Sequence, residues 1–80
     1  MNTYFCYTLW EFLEPNVSEM EFENDQEAID FWARLADEHT PTACMAITRL
    51  VETDSVFYED FVAMFRRGLN GLDIIKSHAI

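Results

Sequence analysis

The sequence predicts a single small α+β domain, in which two helices pack on one face of a mainly antiparallel sheet of three to four strands. Three observations lead to this class. Apolar residues alternate in some segments, as in strands, and recur at helical spacing in others. These segments follow the order strand, strand, helix, strand, helix, with a last element that the pattern leaves open. The 80 residues leave room for one compact acidic domain, residues 1–80.

The first two elements are predicted to be strands of one hairpin. Residues 3–13 (TYFCYTLWEFL) are rich in aromatic residues and contain neither Gly nor Pro. Both faces of this strand are apolar, so we expect it to be covered on both sides, or on one side by a second copy of the protein. Pro15 and Asn16 indicate a turn. Residues 17–23 then alternate glutamates with Met20 and Phe22, which predicts a half-buried partner strand.

The third element is predicted to be a helix that begins at Asn24 and ends near His39. Asn24 suits the N-terminal cap, and Glu27 three residues later completes a capping box. Pro41 disfavours helix in the residue before it. The predicted apolar stripe consists of Ala28, Ile29, Trp32, Leu35 and Ala36.

Residues 42–52 (TACMAITRLVE) are interpreted as a strand, with a helix as the alternative, because Ala, Met and Leu also favour helices. The cluster Thr53, Asp54 and Ser55 then predicts a second helix start. The apolar residues of this second helix repeat at i, i+4, i+7 and i+8, and they are Phe57, Phe61, Met64 and Phe65.

The end of the chain is the least determined part. Arg66 and Arg67 suit the negative end of the second predicted helix, and Gly68 suits its termination. Asn70 and the glycine after it indicate a turn. Residues 72–80 are expected to form a short strand or an added helical turn.

The low cysteine content and the lack of a recognisable targeting signal predict a cytoplasmic protein. The longest uncharged run, residues 1–10, is much shorter than a membrane-spanning helix and lacks the basic start of a signal peptide. Cys6 and Cys44 are the only cysteines, whereas small secreted domains usually carry more. We therefore expect two free, buried thiols. A single disulfide stays open as the alternative if the two strands are neighbours.

No pattern indicates a reaction or a metal site. Cys6 lies among large apolar side chains, where a thiol is usually inert. Acids alternate over residues 21–27 as in a calcium-binding loop, but Gln26 and Trp32 stand where that loop needs Gly and Glu. We therefore expect a protein that is not an enzyme and that has no cofactor and no metal.

The uneven distribution of charge is the most informative feature of the sequence. The chain has fifteen Asp and Glu against five Lys and Arg, a net charge of −10. Most of the acids lie between Glu11 and Glu38, where Arg34 is the only base. A charge of this sign argues against direct contact with nucleic acid or an anionic membrane, and favours a basic partner.

Three of these acids predict a specific use of the charge. Glu19, Glu21 and Glu23 share one strand face at a spacing of about 6.6–6.8 Å. That spacing is close to two axial steps of nucleic-acid phosphate, about 3.4 Å each, so the row could imitate a phosphate backbone. The alternative is an acidic surface that only keeps the protein soluble.

Two groups of candidate site residues follow. The candidate partner-binding residues are the acids Glu19, Glu21, Glu23, Asp25, Glu27, Asp30, Asp37 and Glu38. Aromatic residues that exceed the capacity of a small core often anchor protein interfaces. Tyr4, Trp10 and Phe31 are therefore a candidate aromatic interface, with an ordinary core role as the alternative.

The chain has the acid row Glu19, Glu21 and Glu23, further acids in residues 25–38, a small size and no catalytic motif. In these features it resembles the small acidic inhibitor proteins of bacteriophages, including many anti-CRISPR proteins and DNA mimics. The resemblance implies a non-enzymatic inhibitor in the host cytoplasm. Its partner would be a basic nucleic-acid-binding protein or ribonucleoprotein complex. Two alternatives remain: a regulatory or scaffold module that dimerises weakly through its aromatic first strand, and a small enzyme or toxin subunit.

Overall fold

The computed structural model of the protein describes residues 1–10, 16–38, 42–69 and 71–77, and these residues form five strands and one helix. The elements in chain order are β1 (Asn2–Trp10), β2 (Asn16–Phe22), α1 (Asp25–Glu38), β3 (Thr42–Thr53), β4 (Val56–Gly68) and β5 (Gly71–Ser77). The structure extends over 43 × 27 × 18 Å.

The five strands form a single antiparallel sheet in the order β2-β1-β3-β4-β5. The helix α1 connects the edge strand β2 to the central strand β3 and packs across one side of the sheet, which we call the helix face. No described element packs on the other side, which we call the open face. Because side chains alternate along a strand, Tyr4 and Cys6 of β1 lie on the helix face, whereas Tyr7 and Leu9 lie on the open face.

The hydrophobic core lies between α1 and the helix face of the sheet. Its centre is an aromatic cluster in which the ring of Phe22 lies 5.2 Å from that of Trp32 and 5.5 Å from that of Phe31. Offset and edge-to-face contacts of this kind stabilise aromatic pairs by about 0.5–1.5 kcal/mol beyond the burial of their area. The buried residues are Tyr4, Cys6, Phe22, Ala28, Ile29, Trp32, Ala36, Met45, Ile47, Val62, Ala63 and Phe65.

The prediction of three to four strands with two helices is wrong, because residues 56–68 form the strand β4 instead of a second helix. This segment is rich in Val, Phe and Tyr, which favour strands. A bulge opposite the Ile47 to Thr48 step leaves Val62 as an extra residue, so that Val62 and Ala63 are both buried. The bulge breaks the strict alternation, and the remaining apolar spacing imitates that of a helix.

Residues 53–55 form a hairpin turn rather than a helix start. Asp54 and Ser55 have φ values of 46° and 70°, and Thr53 pairs with Val56 across the turn. Two central residues with positive φ are the signature of a type I′ turn, which suits the twist of a two-residue hairpin.

The hairpin of β3 and β4 projects beyond the rest of the sheet. Neighbouring strands pair with β3 only up to Arg49 and with β4 only from Ala63, in the part of the chain that the structure describes. Residues 50–60 therefore form a two-stranded projection, which we call the arm.

Arg67 lies in β4, not at the end of a second helix, but it does neutralise a helix end. Its guanidinium donates a hydrogen bond of 2.9 Å to the carbonyl of Ala36 and contacts Asp37 at 3.5 Å. The last turn of α1 has no basic residue of its own. Arg67 therefore supplies the positive charge that stabilises the negative end of the helix dipole.

Several other predictions are confirmed. The strands β1 and β2 form the expected hairpin, and residues 42–52 belong to a strand. The backbone N–H of Glu27 donates a 3.0 Å hydrogen bond to the side chain of Asn24, as expected for the helix cap. The tail forms the strand β5 as far as Ser77. Leu35 departs from the predicted buried stripe, since it is 41% exposed.

Some predictions lie outside the described residues. They concern the end of the first predicted strand, the turn at Pro15, the helix end at His39 and Pro41, the turn residue Asn70 and residues 78–80.

The two cysteines lie on neighbouring strands but on opposite faces of the sheet. Cys6 is opposite Ile47 on the helix face, and Cys44 is opposite Leu9 on the open face. A disulfide needs two side chains that point towards each other, so these two cannot form one. Both thiols are free, but Cys44 is only half-buried, which corrects the expectation that both are buried.

Candidate partner-binding site

The predicted acid row lies at the β2 edge of the sheet. Glu19 and Glu21 are opposite Phe5 and Thr3 of β1, so both point to the open face, and both are exposed. Glu23 is also exposed and follows the last residue of β2. Met20 and Phe22 point to the helix face, which is why Glu19 and Glu21 point away from it. The prediction that Glu23 shares their strand face is not met, because β2 ends at Phe22.

The remaining candidate acids lie on α1. Glu27, Asp30 and Glu38 are exposed on the outer side of the helix, which faces away from the sheet. They therefore point to the opposite side of the molecule from the open face. Asp37 is also exposed, but it reaches Arg67 of β4 at the end of the helix.

The chain brings part of this set together around one edge. Because β2 is an edge strand and leads directly into α1, the acids from Glu19 to Asp30 border that edge from both sides. We call Glu19, Glu21, Glu23, Glu27 and Asp30 the acidic edge. A helix of this length spans about 21 Å, and its far end contacts Arg67 on β4. Asp37 and Glu38 are therefore separate from the acidic edge.

Asp25 has a structural environment that distinguishes it from the other candidate acids. One nitrogen of Arg49 lies 2.8 Å from both of its carboxylate oxygens, and the hydroxyl of Tyr4 donates a 2.5 Å hydrogen bond to it. Arg49 also contacts Asp60, at 3.0 Å. Asp25 therefore links the start of α1 to the sheet and to the base of the arm.

Most of the other candidate acids form no ion pair with a described residue. Asp37 pairs with Arg67, but within the described residues no ion pair involves Glu19, Glu21, Glu23, Glu27, Asp30 or Glu38. Like charges that share an edge without counterions repel one another, and together they attract cations.

Two members of the candidate aromatic interface, Tyr4 and Phe31, do not share an exposed surface. Tyr4 is fully buried beneath α1, where burial and its hydrogen bond to Asp25 raise the pKa of its phenol. Phe31 is 37% exposed beside Phe22 and Trp32. Trp10 ends β1, and its side chain lies outside the described part of the structure.

A shallow apolar groove on the open face was not assigned as a site from the sequence. Its volume is about 220 Å³. Val17, Tyr7, Ala46 and Met64 are successive partners across β2, β1, β3 and β4, and they form its floor. The signal available in the sequence was the first strand, whose two apolar faces both required a cover.

A polar cluster borders the same face where the arm begins. The hydroxyls of Tyr7 and Thr48 both donate hydrogen bonds to one carboxylate oxygen of Glu59, the latter at 2.6 Å. These bonds lower the pKa of Glu59 and, through the carboxylate, raise the pKa of Tyr7. Glu59 therefore carries a stable negative charge on the open face.

The described residues offer little for catalysis or metal binding. Burial raises the pKa of the Cys6 thiol to about 11, so the thiolate needed for nucleophilic attack is scarce at neutral pH. No three His, Cys, Asp or Glu side chains within the described ranges are grouped to hold a metal ion. In the same part of the chain, no helix has the length and apolar character to span a bilayer.

Comparisons with known proteins give no relative for this chain. No protein family, no curated protein and no solved structure matches it. A function must therefore be inferred from the charge and geometry of its own surfaces.

Proposed function

We propose that this chain is a non-enzymatic binding protein whose acidic edge occupies a basic nucleic-acid-binding surface of a partner protein or ribonucleoprotein complex. The partner would then be unable to hold its DNA or RNA, and the chain would act as an inhibitor. The observation that carries the proposal is the set of exposed acids at the β2 edge that form no ion pair with a described residue.

Charge complementarity would contribute to both the affinity and the rate of association. A basic groove built for phosphates attracts carboxylates in a similar arrangement, and such complementarity accelerates association. Because β2 is an edge strand, Glu19 and Glu21 lie on the rim of the molecule, where a convex acidic edge can enter a groove. The net charge of −10 repels free nucleic acid, so the two would compete for the partner instead of binding each other.

A structural explanation of the same acids must be separated from this one. Charged residues on an edge strand also prevent unwanted pairing between the sheets of two molecules. That role needs negative charge at the edge but no partner. A binding assay that compares this edge with other acidic positions distinguishes the two explanations.

The test is a competition assay with purified basic nucleic-acid-binding proteins and ribonucleoprotein complexes, each presented with and without its own nucleic acid. We expect at least one of them to bind the chain, to release it when nucleic acid is added, and to bind it more weakly as salt rises. A chain that binds none of them, or that binds equally well in the presence of nucleic acid, would contradict the proposal.

Two charge-matched variants make the assay specific. The triple variant Glu19→Gln, Glu21→Gln, Glu23→Gln should weaken binding about tenfold, because each exposed ion pair contributes about 0.5 kcal/mol. The control removes the same amount of charge elsewhere with Glu52→Gln, Asp54→Asn and Asp73→Asn, which are all exposed. Asn is tolerated at the positive φ of Asp54. Equal weakening by both triple variants would mean that total charge, not the acidic edge, governs binding.

A further inference from the structure

The open face leaves large apolar side chains in contact with solvent. Leu9 is 45% exposed, Val17 56% and Met64 40%, and they border the groove on three different strands. Scattered exposed apolar residues are normal, but a continuous apolar groove usually marks an interaction site.

We infer that the open face is a docking site for a cationic amphipathic helix of a partner protein. This inference stands apart from the proposed function, because it concerns the apolar groove and needs no nucleic acid.

The groove favours a helix over an added strand. Val17 of the edge strand β2 forms one end of its floor. The rest of the floor belongs to β1, β3 and β4, and each of these strands already pairs with a neighbour on both sides in this region. Their backbone groups are therefore used within the sheet, and a ligand gains affinity only by packing side chains. A helix is known to fit this sheet, because α1 covers the helix face with one apolar stripe. A partner helix of about 14 residues would match it in length, about 21 Å.

The border of the open face favours a cationic helix. Glu19 and Glu21 lie on this face along β2, and Glu59 lies on it at the base of the arm. Arg66 is the basic side chain described on this face, and Asp73 is its partner on β5. Among the side chains that the structure describes on this face, three glutamates and Asp73 therefore outnumber Arg66, and Lys or Arg beside an apolar stripe would complement them.

Two other occupants fit less well. A second copy of the chain would bring its own acidic border and a further charge of −10 to the interface. An anionic membrane would be repelled by the same glutamates.

The test uses a synthetic 14-residue peptide of Leu and Lys with its leucines on one helical face. The control peptide has the same composition in an order that scatters the leucines. Cys44 provides a local probe, because it lines the groove, whereas Cys6 is buried and its thiol is largely protonated. At a free peptide concentration about ten times the Kd, we expect the amphipathic peptide to slow the alkylation of Cys44 by iodoacetamide about tenfold. The scattered peptide should leave the alkylation rate unchanged.

A pair of protein variants locates the site. Leu9→Thr with Met64→Thr should raise the Kd for the labelled amphipathic peptide about tenfold in fluorescence anisotropy. The control, Leu35→Gln with Ile74→Thr, changes two residues that are equally exposed but lie off the open face, and it should leave the Kd unchanged. Thermal melts of both variants verify the fold, and protection of Cys44 tests the wild-type chain even if one variant unfolds.

Four outcomes would overturn the inference. The scattered peptide could bind as tightly as the amphipathic one, which would indicate attraction by charge alone. Both variants could weaken binding equally. The amphipathic peptide could fail to protect Cys44, which would mean that it does not occupy the groove. Sedimentation equilibrium could also show a dimer that Leu9→Thr with Met64→Thr converts to monomer, which would make a second copy the occupant.

Discussion

Arg49 connects three parts of the molecule at the level of a single side chain. It binds Asp25 at the start of α1 and Asp60 at the base of the arm, while its own strand lies at the centre of the sheet. The hydrogen bond to Asp25 raises the pKa of the guanidinium, so its charge is permanent. This network explains why Asp25, alone among the eight candidate acids, is tied to both the core and the sheet.

Replacing Arg49 by Met should destabilise the fold measurably. The change removes hydrogen bonds to two carboxylates that are partly shielded from solvent, so we expect the free energy of unfolding to fall by about 1–2 kcal/mol. Urea denaturation followed by circular dichroism measures it. Arg66→Met is the matched control, because Arg66 is exposed, and it should change stability by less than about 0.5 kcal/mol. Equal losses in the two variants would mean that the network contributes nothing.

Cys6 should make the stability of the fold sensitive to alkaline pH. Its pKa is raised from 9.0 to about 11 in the folded chain, chiefly by burial. Between these values the unfolded chain loses the thiol proton and the folded chain keeps it. The free energy of unfolding should therefore be unaffected by this group below about pH 9 and should fall above it, by at most about 1.4 kcal/mol per pH unit.

The measurement is a set of urea melts from pH 8 to pH 11, compared with Cys6→Ala. The pKa of the Tyr4 phenol is also raised, so its ionisation in the unfolded chain lowers the free energy of unfolding above about pH 10. This effect is the same in both proteins. The variant should therefore show a shallower decline than the wild-type chain. Parallel declines would show that Cys6 does not titrate with a shifted pKa.

At the scale of elements, the sequence predicted the hairpin, the helix and the third strand but not β4. The cap at Asn24 and the alternation in β2 are local signals that nothing in the tertiary structure overrides. In β4 the bulge at Val62 removes the alternation over which a strand is recognised. The candidate site, like the fold, could be predicted only in part from the sequence. Exposure of Glu19 and Glu21 follows from alternation in β2, whereas the groove on the open face also needs Met64 of β4, which was predicted to lie in a helix.

The turn of the arm allows a stabilising substitution. Ser55 has a φ of 70°, which costs a residue with a Cβ atom about 1 kcal/mol that glycine does not lose. Ser55→Gly should therefore raise the free energy of unfolding by up to about 1 kcal/mol. The control is Ser18→Gly in the middle of β2, which should lower it by about 0.5–1 kcal/mol. If chemical denaturation shows that both substitutions destabilise, the turn does not have the geometry described here.

At the scale of the whole molecule, charge and apolar burial are distributed unequally. The helix face holds the core, the acidic edge holds much of the unpaired negative charge, and the open face holds an uncovered groove. The few described ion pairs lie at the ends of α1 and at the base of the arm. Repulsion among the remaining acids should therefore destabilise the folded chain more than these few ion pairs stabilise it.

Added salt should stabilise this protein. Screening reduces the repulsion among exposed acids, whereas the half-buried Arg49 and Asp25 pair is screened less. We expect the melting temperature to rise between about 0.01 M and 0.15 M NaCl, where the Debye length shortens from about 30 Å to about 8 Å. The triple variant Glu19→Gln, Glu21→Gln, Glu23→Gln should show a smaller rise. A melting temperature that falls with salt would mean that ion pairs dominate the electrostatics.

The alternation of side chains in β1 has a consequence for how this protein can evolve. Tyr4 and Cys6 maintain the interior, while Tyr7 and Leu9 belong to the outward surface, and the two sets are interleaved in one nine-residue segment. Substitutions in the outward set are expected to be tolerated, because the inward set preserves the fold. Insertion of a single codon within β1 would exchange the two sets. This segment should therefore tolerate point substitutions on its outward side better than insertions or deletions.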